Sequence, residues 1–391
     1  MPKIPAQPKV WKGAYRGNFG GDLWQTFNID LERSLGRLRL GDKFRILTDS
    51  GDVATLGIVY KFLRTNADNT DRWWALTSAG MLVTASTNAF VTYAADGESN
   101  TPTDALDMVV HETANGEQRL VVSRATDIAI LNRSGAANDW TAAWWSSTLS
   151  QAALVTAVYH PLAKLQRLLV IGDGNLVHTV DFNDAVENSR LTLQSGYEAR
   201  CMAVSSDRIW IGFQDNFGGP AKIIEWDGSS TLYNNEFHLV GSYPLTVFVV
   251  NNVPYAIDEI GYIYKYTGSG FQPVQEFPMV EEKQVFTGST LAATATIVPH
   301  GVAVDRHLAY INVGAPTQSR RMRSGVWVFN TVTGNLTHLR GLSHHKTAGT
   351  DLGYGGTPFF RAGALKLIVD AGNAIYDLIA GASVYTVYTG T

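Results

Sequence analysis

GYIYKYT, residues 261–267, is written as a strand: Ile263, Tyr264, Lys265 and Tyr266 alternate between two faces after a glycine. Six other stretches share its shape. They are GMLVTAS from Gly80, TDIAILN from Thr126, GNLVHTV from Gly174, GPAKIIEW from Gly219, GVWVFNT from Gly325 and GNAIYDL from Gly372. Successive starts lie 46, 48, 45, 42, 64 and 47 residues apart. Each is preceded by another short apolar strand, in order WWALTS, RLVVSR, RLLVIG, RIWIGF, VPYAID, LAYINV and LKLIVD. Val326, Trp327, Val328 and Phe329 repeat the alternation. A period of about 40–50 residues is that of a four-stranded propeller blade, whereas TPR and ankyrin units are shorter and helical and β-helix coils are much shorter. A blade cannot bury both faces alone, and stacking blades in a closed ring buries them. Seven anchors therefore predict an all-β fold, a seven-bladed β-propeller.

Composition agrees. Of 391 residues, 45% are apolar, 11% aromatic and 17% charged, with 37 Gly and only 6 Met. Rings and β-branched residues suit a pleated surface, and glycine supplies the positive φ of tight turns. The apolar fraction is ample for a core, which excludes disorder. No uninterrupted apolar run approaches the roughly 18 residues of a membrane helix, so no membrane insertion is expected.

Domain organisation follows from where the repeat stops. Residues 1–40 lie outside it and are expected to form an N-terminal arm or assembly segment; residues 41–391 form the propeller. Ring closure usually draws on both chain ends. The alternating run ASVYTVYTG, 382–390, is the expected closing strand, with partners in Lys43–Thr48 or Gly57–Leu63. Trp11, Tyr15, Phe19, Trp24 and Phe27 of the arm are expected to pack on the propeller or on a neighbouring subunit. Residues 1–47 carry nine Lys or Arg against Asp22, Asp30, Glu32 and Asp42, a net of +5 that leaves −9 for the rest of a chain at −4. A basic segment beside an acidic body can dock on an acidic neighbour or a polyanion. The single cysteine, Cys201, sits in an apolar stretch and reads as a buried structural thiol. The opening MPKIPAQPKVWKG has no apolar core of a secretion signal, so synthesis and folding in a reducing cytoplasm are expected. The sequons at Asn132 and Asn335 then carry no meaning.

Turns such as Glu225-Trp226-Asp227-Gly228 and Tyr266-Thr267-Gly268 resemble the blade ends of divergent bacterial and viral propellers. The repeated Gly-His and Trp-Asp pairs of WD40 blades and the paired glycines of kelch blades are absent. The opening WKGAYRGNFGGDLWQTFNIDLERSLGRLRLGDKF, followed by a propeller, resembles virion-associated β-propeller proteins of tailed bacteriophages, in the manner of tail nozzle and baseplate components. That resemblance implies a non-enzymatic structural protein located in the virion after assembly in the host cytoplasm. Its partners would be other virion proteins, in a homo-oligomeric ring, and it needs no cofactor.

The residues offer little chemistry. P-loop, Gly-x-Gly-x-x-Gly, His-Glu-x-x-His, cysteine-pair and EF-hand patterns are all missing. His344 and His345 are adjacent in a Gly-rich loop and lack further ligands, while His300 and His307 read as blade-edge residues. Asn138-Asp139-Trp140-Thr141 has the letters of a sialidase Asp-box in the wrong order. Asp173, Asp215, Asp258, Glu259, Asp305 and Asp370 are the carboxylates a propeller glycosidase or lyase would draw on. All but Glu259 lie beside turns or strand ends, where aspartate satisfies backbone N–H groups. Trp73-Trp74 and Trp144-Trp145 each place one ring on either face of a strand, one for the core and one for a partner or a sugar. The longest repeat contains APTQSRRMRS, 315–324, whose Arg320, Arg321 and Arg323 sit on an expected hairpin tip and could grip an acidic partner. The acidic body argues against sequence-specific nucleic-acid binding. Trp11, Tyr15, Arg16, Trp24, Arg320, Arg321 and Arg323 are thus the interface candidates. A glycan or host receptor bound at a tail tip is the alternative.

Overall fold

The computed structural model describes residues 23–27, 29–30, 39–40, 43–46, 59–65, 72–77, 80–84, 91–92, 107–124, 127–132, 139–141, 149, 154–160, 166–206, 208–277, 297, 301–313, 325–341, 359–361, 364–369, 374–379 and 386–389. Side chains are described chiefly within 107–277 and 301–338. Among the described residues the secondary structure is strand throughout, without a helix.

The N-terminal strands are β1 (Leu23–Phe27), β2 (Ile29–Asp30), β3 (Arg39–Leu40) and β4 (Lys43–Ile46). Four-stranded meanders follow. The first is β5 (Val59–Thr65), β6 (Arg72–Thr77), β7 (Gly80–Thr84) and β8 (Val91–Thr92). The second is β9 (Asp107–Glu112), β10 (Gln118–Ser123), β11 (Ile128–Asn132) and β12 (Asp139–Thr141). Next come β13 (Leu154–His160), β14 (Gln166–Asp173), β15 (Leu176–Val180) and β16 (Val186–Thr192). They are followed by β17 (Tyr197–Ser205), β18 (Arg208–Asp215), β19 (Lys222–Trp226) and β20 (Asn235–His238). Then come β21 (Pro244–Val250), β22 (Val253–Asp258), β23 (Tyr262–Tyr266) and β24 (Phe271–Glu276). The last of these meanders is β25 (Val302–Asp305), β26 (Leu308–Val313), β27 (Gly325–Asn330) and β28 (Leu336–Gly341). The chain finishes with β29 (Phe359–Arg361), β30 (Ala364–Val369), β31 (Ala374–Ile379) and β32 (Thr386–Thr389).

Every meander is antiparallel and in sequence order, and the first strands β5, β9, β13, β17, β21 and β25 follow one another side by side. This is a β-propeller. Each sequence anchor leads into the third strand of a sheet, and at Gly174 and Gly261 the glycine takes the positive φ of the turn out of the second.

The core lies between blades. Val121, Ile130, Leu169, Ile171 and Val180 fill the layer between β9–β12 and β13–β16. Val177, Leu191, Ile211, Phe213 and Trp226 fill the next. Cys201, Trp210, Ile223, Ala256 and Tyr264 join β17–β20 to β21–β24, and Ile257, Phe277, Ile311, Trp327 and Phe329 join β21–β24 to β25–β28. Fully burying one such large side chain is worth about 1.5–3 kcal/mol, so these layers hold the blades at fixed spacing. The packing is close enough to dictate glycine: a Cβ on Gly212 would stand 2.5 Å from the Cys201 Sγ and 3.1 Å from Pro244.

Two expectations are corrected. Where the anchors predict seven blades, five, β9 to β28, are described with most of their side chains; the anchor runs that begin at Gly80 and Gly372 lead into β7 and β31, in sheets described chiefly by backbone pairing. The closing strand also finds another partner. β32 pairs antiparallel with β1, Leu23 opposite Thr389 and Phe27 opposite Thr386, instead of with Lys43–Thr48 or Gly57–Leu63. β1 runs parallel to β28 on its other side, with Phe27 opposite His338. Lys43–Ile46 serves elsewhere, as the fourth strand beside β31. The alternating pattern of 382–390 specifies a strand but not which edge it joins, since any free edge offers the same hydrogen bonds.

Candidate functional site

In a meander, the turn between the second and third strands lies at the same end of the blade as the linker that enters the first. That end gathers most of the unusual side chains of β13–β24.

Its carboxylates are bound to the chain itself. Asp258, at the end of β22, is fully buried. Its Oδ1 accepts from the N–H of Gly261 and Tyr262, both at 3.0 Å. Its Oδ2 accepts from the Gly241 N–H at 3.0 Å and the Tyr264 hydroxyl at 2.7 Å. Burial nonetheless dominates and raises the Asp258 pKa against those donors. Glu259 accepts from Ser242 N–H (2.9 Å), Ser242 Oγ (3.0 Å) and Tyr243 N–H (2.7 Å). The pair thereby ties the turn of one blade to the linker that enters it. Glu276 lies near enough for burial and the Asp258 charge to raise its pKa as well.

Asp215, at the end of β18, accepts instead from its own turn, the Phe217 N–H at 2.8 Å. Asp173, at the end of β14, is buried with its Oδ2 3.6 Å from His178 Nε2. His178 Nδ1 accepts the Ser189 N–H at 3.0 Å, which assigns the ring proton to Nε2, and burial lowers its pKa. Asp305 is exposed at the β25–β26 turn, and the His307 carbonyl accepts from Thr331 N–H and Oγ1. These aspartates occupy the turn positions that their sequence neighbours indicated.

Polar side chains line the mouth beside β17. The β17–β18 register shifts between Ala199 and Cys201, so Arg200 is the extra residue of a bulge, a device that re-aims a side chain. Its guanidinium donates to Gln214 Oε1 and Glu198 Oε2, both at 2.9 Å, and lies 5.2 Å from the Tyr243 ring centre. On the adjoining surface Lys222 Nζ lies 4.3 Å over the Tyr197 ring and 3.0 Å from Glu236 Oε1. Glu236 also receives the Tyr233 hydroxyl at 2.7 Å and lies 3.2 Å from His238 Nε2. Burial would lower the Lys222 pKa, but hydrogen bonds to Glu236 and Tyr197 outweigh it and raise it. For Glu236 the same bonds outweigh burial and lower the pKa.

Phe217 tops this surface, 84% exposed, held in the Asp215–Gly219 turn. Its ring covers Gly196, where a side chain would collide with it. Sequence reading missed Phe217 and Arg200. Their signals were an aromatic between Asn and Gly-Gly in DNFGGP, and a Glu-x-Arg pair inside the otherwise apolar strand YEARCMAVS.

The interface candidates Trp11, Tyr15, Arg16, Arg320, Arg321 and Arg323 lie outside the described residues. So do His300, His344, His345, Asp370 and the Trp144-Trp145 doublet. Trp24 is on β1, within a sheet. Trp74 is the inward ring of its doublet, fully buried, its indole N–H reaching the Thr65 carbonyl at 3.4 Å. Cys201 is buried and its thiol is pushed up to about 12 by burial, which leaves it unreactive. Among the described residues no three His, Cys, Asp or Glu side chains gather into a metal-binding group.

Solved structures with this architecture have varied roles. The chain superposes on the extracellular domain of a hybrid two component system, BT4673, from B. thetaiotaomicron, with a TM-score of 0.57 and 14% identity. That match covers 87% of this chain but only 40% of the other. It is also similar to a catalytically inactive virginiamycin B lyase from Staphylococcus aureus, solved with quinupristin (TM-score 0.55, 12% identity, 86% and 98% covered). The Neurospora crassa Pan2 WD40 domain matches at a TM-score of 0.51 with 12% identity, over 88% of this chain and 97% of that one. At such identities the likeness shows the propeller fold alone. No protein-family model and no curated protein matches the sequence.

Proposed function

We propose that the chain is a non-enzymatic attachment protein: a structural component of a tailed-phage virion that forms or joins a ring through its N-terminal segment and propeller surfaces. One observation carries this reading. Asp215, Asp258 and Glu259 at the linker-and-turn end are taken up by the chain's own N–H and O–H groups, while a large apolar ring is turned outward. Hydrolytic chemistry needs carboxylates facing a substrate; attachment needs outward apolar and aromatic groups. Trp11, Tyr15, Arg16 and Trp24, with Arg320, Arg321 and Arg323, are proposed as further contacts on acidic neighbours. The ring is proposed to close at seven blades, the β5–β8 and β29–β31 with β4 sheets completing the five.

Mass spectrometry of purified particles from the source of this gene tests the assignment: the chain should be present at ring-like stoichiometry, and its absence overturns it. A panel of polysaccharides should remain uncleaved. Host-receptor or glycan binding is the second reading, favoured by the exposed Phe217 beside the Tyr197–Lys222 stack. Glycan-array binding that Phe217→Ala abolishes would select it.

A further inference from the structure

Two apolar side chains break the polar surface at the linker-and-turn end of the β17–β20 blade, Phe217 at 84% exposure and Val240 at 66%. Both are presented by a firmly bonded backbone. The turn carrying Phe217 is fixed by its N–H to Asp215 and by the Asn216 N–H to the Gly196 carbonyl at 2.9 Å. Val240 donates its N–H to the Tyr264 hydroxyl at 3.1 Å. Turn and linker are themselves joined, the Ala221 N–H to the Gly241 carbonyl and the Leu239 N–H to the Ala221 carbonyl. The two prongs therefore stand on one rigid surface.

Charge defines what fits there. Arg200 and Lys222 are each paired with an acid, Glu198 and Glu236. Asp215 and Glu259 meet only N–H and O–H donors among the described residues, which leaves the surface with an acidic excess. An apolar, acid-rich surface matches a segment that is aromatic and basic. Residues 1–22 have that composition: Lys3, Lys9, Lys12 and Arg16 against Asp22, with Trp11, Tyr15 and Phe19. They lead into β1, which is fixed on the edge of the β25–β28 blade.

We infer that the Phe217–Val240 surface receives residues 1–22 of a second copy of this chain. The inference rests on the reading of the protein as a ring-former and names the surface that links the copies. Ring propagation would then be heterologous, segment to surface, with closure set by the angle between them.

A photo-crosslinking analogue of phenylalanine placed at position 217 of the full-length chain tests it, using a mixture of isotopically heavy and light protein. Crosslinks from position 217 of one copy to residues 1–22 of another are expected. Light scattering should show that Phe217→Asp, and separately the reversal of Lys9, Lys12 and Arg16 to Glu, each weakens association at least tenfold with unchanged circular dichroism. Crosslinks within one copy, crosslinks elsewhere, or association unaffected by Phe217→Asp each overturn the inference. In the last case the ring reading survives, whereas a chain that never associates and is absent from virions removes both.

Discussion

The β17–β20 and β21–β24 blades share one plan and differ at two matching positions. Both place an aspartate at the end of the second strand and a bulge in the first. In the later blade the bulge falls at Leu245, which is buried, and Asp258 closes a knot with Tyr264 and the preceding linker. In the earlier blade the bulge holds Arg200, and Asp215 serves only a turn that lifts Phe217 into solvent. A repeat thus fixes where the backbone bends, and the single residue at the bend decides whether it is a seam or a surface.

The largest effect that would break this contrast is at Asp258. Its replacement by Ala strips four donors of their acceptor and should cost about 3 kcal/mol in urea unfolding, against about 1 kcal/mol for Asp215→Ala. Equal costs would mean the two turns are equivalent. The sign of pH dependence sharpens the same point. Because burial raises the folded-state pKa of Asp258, its favourable contribution is present below the unfolded carboxylate range and lost as pH rises through the folded value. Asp227 behaves oppositely. Burial is outweighed by bonds from Ser229 and Ser230, which bring its pKa to about 2, so its contribution holds above the unfolded range and is lost as pH falls towards that value. Stability measured from pH 7 down to acid should lose the first slope in Asp258→Asn and the second in Asp227→Asn.

Smaller effects complete the series. Arg200→Leu, which copies the neighbouring blade, should change stability by at most about 1 kcal/mol, since partly exposed ion pairs contribute little. Phe217→Ala should leave it within about 0.5 kcal/mol, where Phe277→Ala in the blade core costs about 3–5 kcal/mol. A large loss at Phe217 would make it a structural ring.

Architecture was legible in the sequence because period-two alternation and turn glycines are local properties, and each anchor falls where a third strand begins. The role of the aspartates was legible for the same reason. The partner of the closing strand was not, because strand edges are interchangeable by hydrogen bonding and only tertiary packing selects among them. The linker-and-turn surface stayed hidden because it is assembled from three separated stretches, near 196, 217 and 240, none of which carries a pattern of its own.

The pairing of β1 with β32 has a mechanical consequence. Leu23 lies opposite Thr389, so the backbone leaves this ladder at the same end in both directions. Tension applied between the two termini would peel the pair one bond at a time, not shear it, and so open the latch at low force. The same neighbourhood invites covalent cyclisation: a short peptide bridge after trimming residues 1–22 would turn the seam into a continuous hairpin and remove that weak point.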